Sequence, residues 1–444
     1  MPSWIEHALW WHVYPLGFVG ADTTGAERGV AGPGPGLRQL EPWLDHVTSL
    51  GLNGLALGPV FTSSTHGYDT LDHHEVDPRL GDADDLRHLL ATARERGVRV
   101  LLDGVFNHVG REHPIVRTAL DDPSSPEAAM LLRDADGALV PFEGHDLLVT
   151  LDHSSPAVED LVVDVMTTWL DAGADGWRLD AAYAVPTEFW ARVLPRVRER
   201  HPDAYVVAEV LHGDHAAFVA ASGVDSVTQY ELWKAIWSSL DQRNLYELDW
   251  SLQRHAAFVE AFSPWTFLGN HDVTRIASQI DDERHLPHAV VLLATLPGTP
   301  AVYAGDELEL RAVKEDRAGG DDAVRPAFPA TPDDLELEPR QRATLALHQE
   351  LIGLRRRHPW LHDGVVQRLA LTNETMVYEV TAREGDGRLV VALDLDDAEL
   401  VVDGSTAGRA PAGGAPSPVE LLAGSADQRG DAWVVPAHGW AVLG

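Results

Sequence analysis

Along the first 360 or so residues, short apolar runs alternate with amphipathic stretches of helical length. The apolar runs cover residues 9–18, 52–61, 98–107, 174–180, 204–210, 226–232, 265–270 and 300–303. Eight such runs separated by helix-length segments predict an α/β chain, a (β/α)8 TIM barrel of parallel strands. Between them, 82–96 reads as a helix opened by Asp82 and closed by Gly97, and 157–170 as one preceded by the cap signal Ser154-Ser155-Pro156. Residues 109–151 break the rhythm with turn signals at Asp122-Pro123 and Asp136-Gly137. They predict a short inserted segment after strand 3 that walls one side of a cleft. After a helix over 338–357 the pattern changes to alternating runs at 376–380 and 389–395, broken by a Gly/Pro/Ala-rich loop at 407–418. That change predicts a C-terminal antiparallel β domain, a small sandwich. The expected division is therefore barrel over 1–108 and 152–362, insert over 109–151 and β domain over 363–444.

Composition narrows the partners. Hydrophobic residues make up 45% and charged residues 23%, with no apolar stretch long enough to span a bilayer. The first residues lack the basic region of a secretory signal, and there are no cysteines, so a disulfide framework and thiol catalysis are excluded and a cytoplasmic location is expected. A net charge of −35 argues against nucleic acid and anionic membranes, but a neutral substrate is indifferent to it. Tryptophan, at 14, outnumbers Tyr and Phe, and its flat face suits sugar rings as well as a core.

The chemistry sits at the ends of the strand-like runs. In Gly176-Trp-Arg-Leu-Asp180, Arg178 and Asp180 are two apart and project from one face of a strand, so the arginine is expected to keep Asp180 ionised. Glu209 ends the run Ala204-Tyr-Val-Val-Ala208 among apolar neighbours, a setting expected to raise its pKa. One charged and one protonated carboxyl is the requirement of glycoside hydrolysis. Asp103 and Asp272 also fall at strand C-terminal ends, where barrel active sites form.

Taken together, Asp103-Gly-Val-Phe-Asn-His108, Gly176-Trp-Arg-Leu-Asp180, Glu209, Asn270-His-Asp272, Gly67-Tyr-Asp69 and Gly298-Thr-Pro-Ala-Val-Tyr-Ala-Gly-Asp-Glu307 resemble the α-amylase superfamily, glycoside hydrolase family 13. The resemblance implies Asp180 as nucleophile, Glu209 as general acid and base, and Asp272 as stabiliser of an oxocarbenium-like transition state. It implies substrate-binding roles for Tyr68, Asp69, Asp103, His108, Arg178, His271 and Arg325. Asp103 would orient Arg178, the two histidines would hydrogen-bond sugar hydroxyls, and Tyr68 would stack under the ring. Asp69 and Asp103 have a structural alternative as partners of buried arginines. Asn107 resembles a position that helps bind calcium in many relatives, yet a hydrogen bond to the insert accounts for it equally. Asp134-Ala-Asp136-Gly137 lacks the later acid of an EF-hand and reads as a hairpin turn, so no cofactor and no metal are expected.

The stretch 181–190 after the nucleophile, with Phe142-Glu-Gly144, is similar to the neopullulanase and cyclomaltodextrinase branch, here without that branch's N-terminal domain. Asp152, where relatives more often have Asn, and Asn270, where they often have Ser, depart from the pattern. The expected activity is retaining hydrolysis of short α-glucans or maltooligosaccharides. A transglycosidase or sugar isomerase would use the same groups, and a silent binding protein on the same barrel would lack carboxylates that are all present here.

Overall fold

The computed structural model describes residues 2–26, 30, 32, 34–317, 319–404 and 419–444. Eight parallel strands form the central sheet: β1 (Trp10–Val13), β2 (Gly54–Leu57), β3 (Arg99–Gly104), β4 (Gly176–Leu179), β5 (Tyr205–Ala208), β6 (Ser226–Val227), β7 (Trp265–Phe267) and β8 (Thr299–Tyr303). Their spatial order is β6-β5-β4-β3-β2-β1-β8-β7. A single parallel bridge, Thr228 to Trp265, joins the two ends and closes the barrel. Nearly every side chain of these strands is buried, since one face fills the barrel and the other packs under helices. The interior layer at the N-terminal end is aromatic, with Trp10 stacked on Tyr205 and on Trp265.

Helices follow where the amphipathic pattern places them. Ala83–Glu95 is capped by Asp82, whose carboxylate accepts from the Asp84 and Asp85 amides, and Gly97 supplies the left-handed residue beyond its end. Pro156–Ala172 starts on Pro156, and the Ser155 side chain makes no cap bond. The apolar run at 226–232 is a strand only over Ser226–Val227. Its remainder opens the helix Tyr230–Asp241, because Leu232, Ala235, Ile236 and Leu240 share a buried face at helical spacing.

Between β3 and Pro156–Ala172, the strands His108–Gly110, Pro141–Phe142 and His145–Thr150 make a small sheet beside the strand ends. Past the helix Pro339–Arg357, two antiparallel sheets follow, one of five strands starting at Val365–Leu371 and one of three containing Leu400–Val402. Val377, Val390, Val435 and Leu443 pack between them. The Gly/Pro/Ala-rich loop at 407–418 lies outside the described residues. Among the described residues, no helix is long and apolar enough to cross a membrane.

Candidate active site

Parallel pairing puts Asp103 of β3 directly beside Arg178 of β4. The arginine Nη1 donates to both Asp103 carboxylate oxygens, at 2.8 and 2.6 Å, and lies 3.3 Å from Asp180 Oδ1. Its Nη2 lies 2.8 Å from Glu209 Oε1. One guanidinium thus gathers three carboxylates from three adjacent strand ends. Ala181 holds a left-handed φ of 46°, which aims its amide at Glu209 Oε2 at 3.0 Å. Tyr230 donates to the other Glu209 oxygen at 3.0 Å and accepts in turn from Asn270 at 2.8 Å. Asn270 also fixes Asp272, accepting from its amide at 2.8 Å. Of these, Asp180, Ala181, Glu209, Tyr230 and Asp272 line a cleft of about 750 Å³ at the C-terminal mouth of the barrel, together with Tyr68, Asp69, His108 and Arg325.

The surroundings of two carboxylates differ from those expected. Glu209 has apolar chain neighbours, but its carboxylate faces a guanidinium, a phenol and an amide rather than an apolar pocket. For Asp180, burial and the nearby Glu209 charge push the carboxyl well above the usual carboxylate range, overcoming the pull of Arg178. Strand spacing shows the arginine but not how many acids share it. Asp272 differs: against burial, which raises it, His271 and Arg325 hold its carboxyl well below the usual range.

Arg325 clamps that corner. It donates to the His271 carbonyl at 2.8 Å and to Asp272 Oδ1 at 2.9 Å, with its guanidinium 4.6 Å over the Tyr14 ring. The His271 ring lies parallel to Tyr68, with centroids 5.2 Å apart, and its Nε2 meets both the Tyr68 hydroxyl and Asp272 Oδ2. Tyr68 also donates to Asp103 at 3.1 Å, so its phenol is tied to two groups below the cleft. His108 stacks on Phe142, and its two ring nitrogens face the Tyr68 carbonyl and the Asn107 amide, so the free ring nitrogen expected for sugar is already engaged. Among the described residues no arginine pairs with Asp69, and both its carboxylate oxygens accept from Thr65.

Sequence reasoning missed Tyr230, which sits in the run read as strand and so carried no motif signal. In the loop after β4, Tyr183 donates to Glu143 at 2.7 Å, linking that loop to the insert, and Glu143 has a positive φ of 49°. Asp134 accepts from the Asp136 and Ala138 amides around Gly137, the bonding of a turn. Among the described residues, the three-residue grouping with ligand-type side chains close enough to share an ion is Asp282, His285 and His438, outside the cleft.

The family description "Alpha amylase, catalytic domain" matches residues 12–136 and 142–366. A cyclomaltodextrinase from Bacillus sp is 29% identical over 427 residues, spanning 89% of this chain and 74% of the relative. Neopullulanase 2 of Thermoactinomyces vulgaris is 26% identical over 421 residues, spanning 88% and 70%. Among solved structures, the debranching enzyme of Nostoc punctiforme superposes with a TM-score of 0.82 at 23% identity, covering 100% of this chain and 99% of that one.

Proposed function

Because the chain belongs to the α-amylase catalytic-domain family, we propose that it is a retaining hydrolase of short α-glucans and maltooligosaccharides. The observation that carries the reading is the single Arg178 that draws Asp103, Asp180 and Glu209 to adjoining strand ends, where Asp180 and Glu209 share one cleft with Asp272. A retaining mechanism needs its nucleophile and acid roughly 5 to 5.5 Å apart, the reach of neighbouring strand ends. Asp180 attacks the anomeric carbon and forms a glycosyl ester as the leaving oxygen takes a proton from Glu209. Glu209 then removes a proton from the water that opens the ester. Asp272, held ionised by His271 and Arg325, faces the positive charge that develops on the ring.

Burial and the Glu209 charge, which raise Asp180, work against its ionisation, and Arg178 is the group that opposes them. Tyr68, Asp69, Asp103, Arg178, His271 and Arg325 shape the sugar site in this reading, and His108 does so through its ring face. The same reading divides the chain into barrel (1–108, 152–362), insert (109–151) and β domain (363–444). The absence of cysteine suits a cytoplasmic setting.

The test is covalent labelling by a fluorinated α-glucosyl donor that slows the second step, followed by peptide mapping. The expected label is an ester on Asp180. A label on Glu209 or Asp272 overturns the assignment, and product analysis with maltose, maltotriose, cyclodextrin and starch sets the substrate range.

A further inference from the structure

Away from the cleft, the barrel meets the C-terminal β domain through histidines. His285 ends the short 3-10 turn before the barrel helix Leu286–Thr295, and His438 lies in the turn between the last two strands, Ala432–Val435 and Trp440–Leu443. We propose that Asp282, His285 and His438 form a binding site for one divalent transition-metal ion of the zinc class, bridging barrel and β domain.

The geometry supports it from three sides. His285 Nε2 and His438 Nδ1 are 3.0 Å apart, Asp282 Oδ2 is 3.9 Å from His285 Nε2, and all three ligand atoms lie within 4.8 Å of one another. Two imidazoles and one carboxylate are donors that suit zinc and its neighbours rather than calcium or magnesium. Behind the site, Asp397 Oδ1 accepts from His438 Nε2 at 2.7 Å. That bond fixes the proton of a neutral ring on Nε2 and leaves the Nδ1 lone pair facing His285, the second-shell arrangement that orients ligating histidines.

Without an ion, His285 donates its Nε2 proton to that lone pair. An ion takes the proton's place, and the proton moves to His285 Nδ1, so each ring stays neutral and no proton is released. The side chain of His285 is fully buried, that of His438 is nearly so, and Asp282 is about one-third exposed, which leaves the ion an outer position for water. The opposing charges are Arg284 and Arg243. Arg284 holds Asp282 through Nε at 2.9 Å and Nη2 at 2.6 Å, and Arg243 pairs with Glu374 at 2.9 Å. Arg284 is well exposed and competes directly with the ion for Asp282.

The test uses the untagged full chain, stripped with EDTA, dialysed and titrated with ZnCl2 by calorimetry. One ion per chain and a higher melting temperature are expected, with Co²⁺ giving the visible absorption of a tetrahedral nitrogen-oxygen site. His438→Gln should weaken zinc at least hundredfold. Asp397→Asn, at an exposed position, should weaken it roughly ten- to a hundredfold. Arg284→Ala should tighten it, an effect that a merely structural histidine pair does not produce. The proposal fails if the stripped chain takes up no zinc. It fails equally if His438→Gln, or Asp397→Asn should the first variant not fold, binds the ion with unchanged affinity and stoichiometry.

Discussion

Arg178 serves three carboxylates at once, and few side chains have the shape for it. A guanidinium offers a planar fork of donors, whereas a lysine ammonium is a point charge on a flexible stem. Arg178→Lys should therefore preserve the charge and still lower kcat by about a hundredfold or more, read by steady-state kinetics beside a circular dichroism check of the fold. Glu209→Gln separates the two chemical steps. Turnover of maltooligosaccharides should fall by orders of magnitude, while the first step with an activated aryl glucoside, which needs little protonation, is largely spared. The same variant tests the electrostatics of the site. Burial still raises Asp180, but the Glu209 charge that raises it further is gone, so the acid limb of the aryl-glucoside pH profile should move to lower pH. An unmoved or raised limb would show that Asp180 does not feel Glu209.

Among the elements, the insert and the loop after β4 decide what fits beyond the cut. Tyr183 and Glu143 meet across the cleft wall, and exposed Leu147 stands near them on the strand His145–Thr150. The contact ties Tyr183 up with a protein carboxylate, so long chains gain little from it. Specificity constants for maltose to maltotetraose should exceed that for soluble starch per mole of ends, and Tyr183→Phe should alter chain-length preference more than melting temperature. Constants that climb steadily up to starch would refute this.

The sequence made β3, β4 and β5 legible because their apolar runs end in charged residues, and made the helix Ala83–Glu95 legible because Asp82 and Gly97 punctuate it. It hid the end of β6, where an apolar run continues into a helix without a break in hydrophobicity. It also hid a partner that no motif carries: Tyr230 reaches Glu209 from 21 residues away, whereas the resemblance already pairs Asp103 with Arg178.

Over the whole molecule, buried histidines set the response to acid. Burial pulls His73, His108, His113, His255, His288 and His362 down to about 4 from the ordinary value of 6.5. Between those values the unfolded chain takes up protons that the folded chain refuses, so stability falls as pH drops below 6.5 and the loss levels off near 4. Each ring accounts for at most about 3 kcal/mol. Burial also raises Asp306 and Asp394, to about 6, together with Asp103 and Asp180, which acts in the opposite sense; the further rings His12, His153, His215 and His348, also lowered by burial, keep imidazoles in the majority. Denaturant midpoints measured from pH 7 to pH 4 should fall steeply, with net proton uptake on unfolding; a flat profile would contradict the burial of these rings.

The barrel wall has one thin place. Between β6 and β7 the ladder is a single bridge, Thr228 to Trp265, reinforced by the Gln229 amide on the Trp265 carbonyl at 2.9 Å. Tyr230 stands on one lip of this seam and Asn270 just past the other, and together they hold Glu209 and Asp272 in place. If the cylinder breathes anywhere, it unzips here, and both carboxylates lose their alignment in the same event. Amide hydrogen exchange would record such openings as early deuterium uptake at Gln229, ahead of the longer ladders on the far side. A sugar whose hydroxyls bridge the two lips would then act as a latch, and its binding would slow exchange at a residue it never touches.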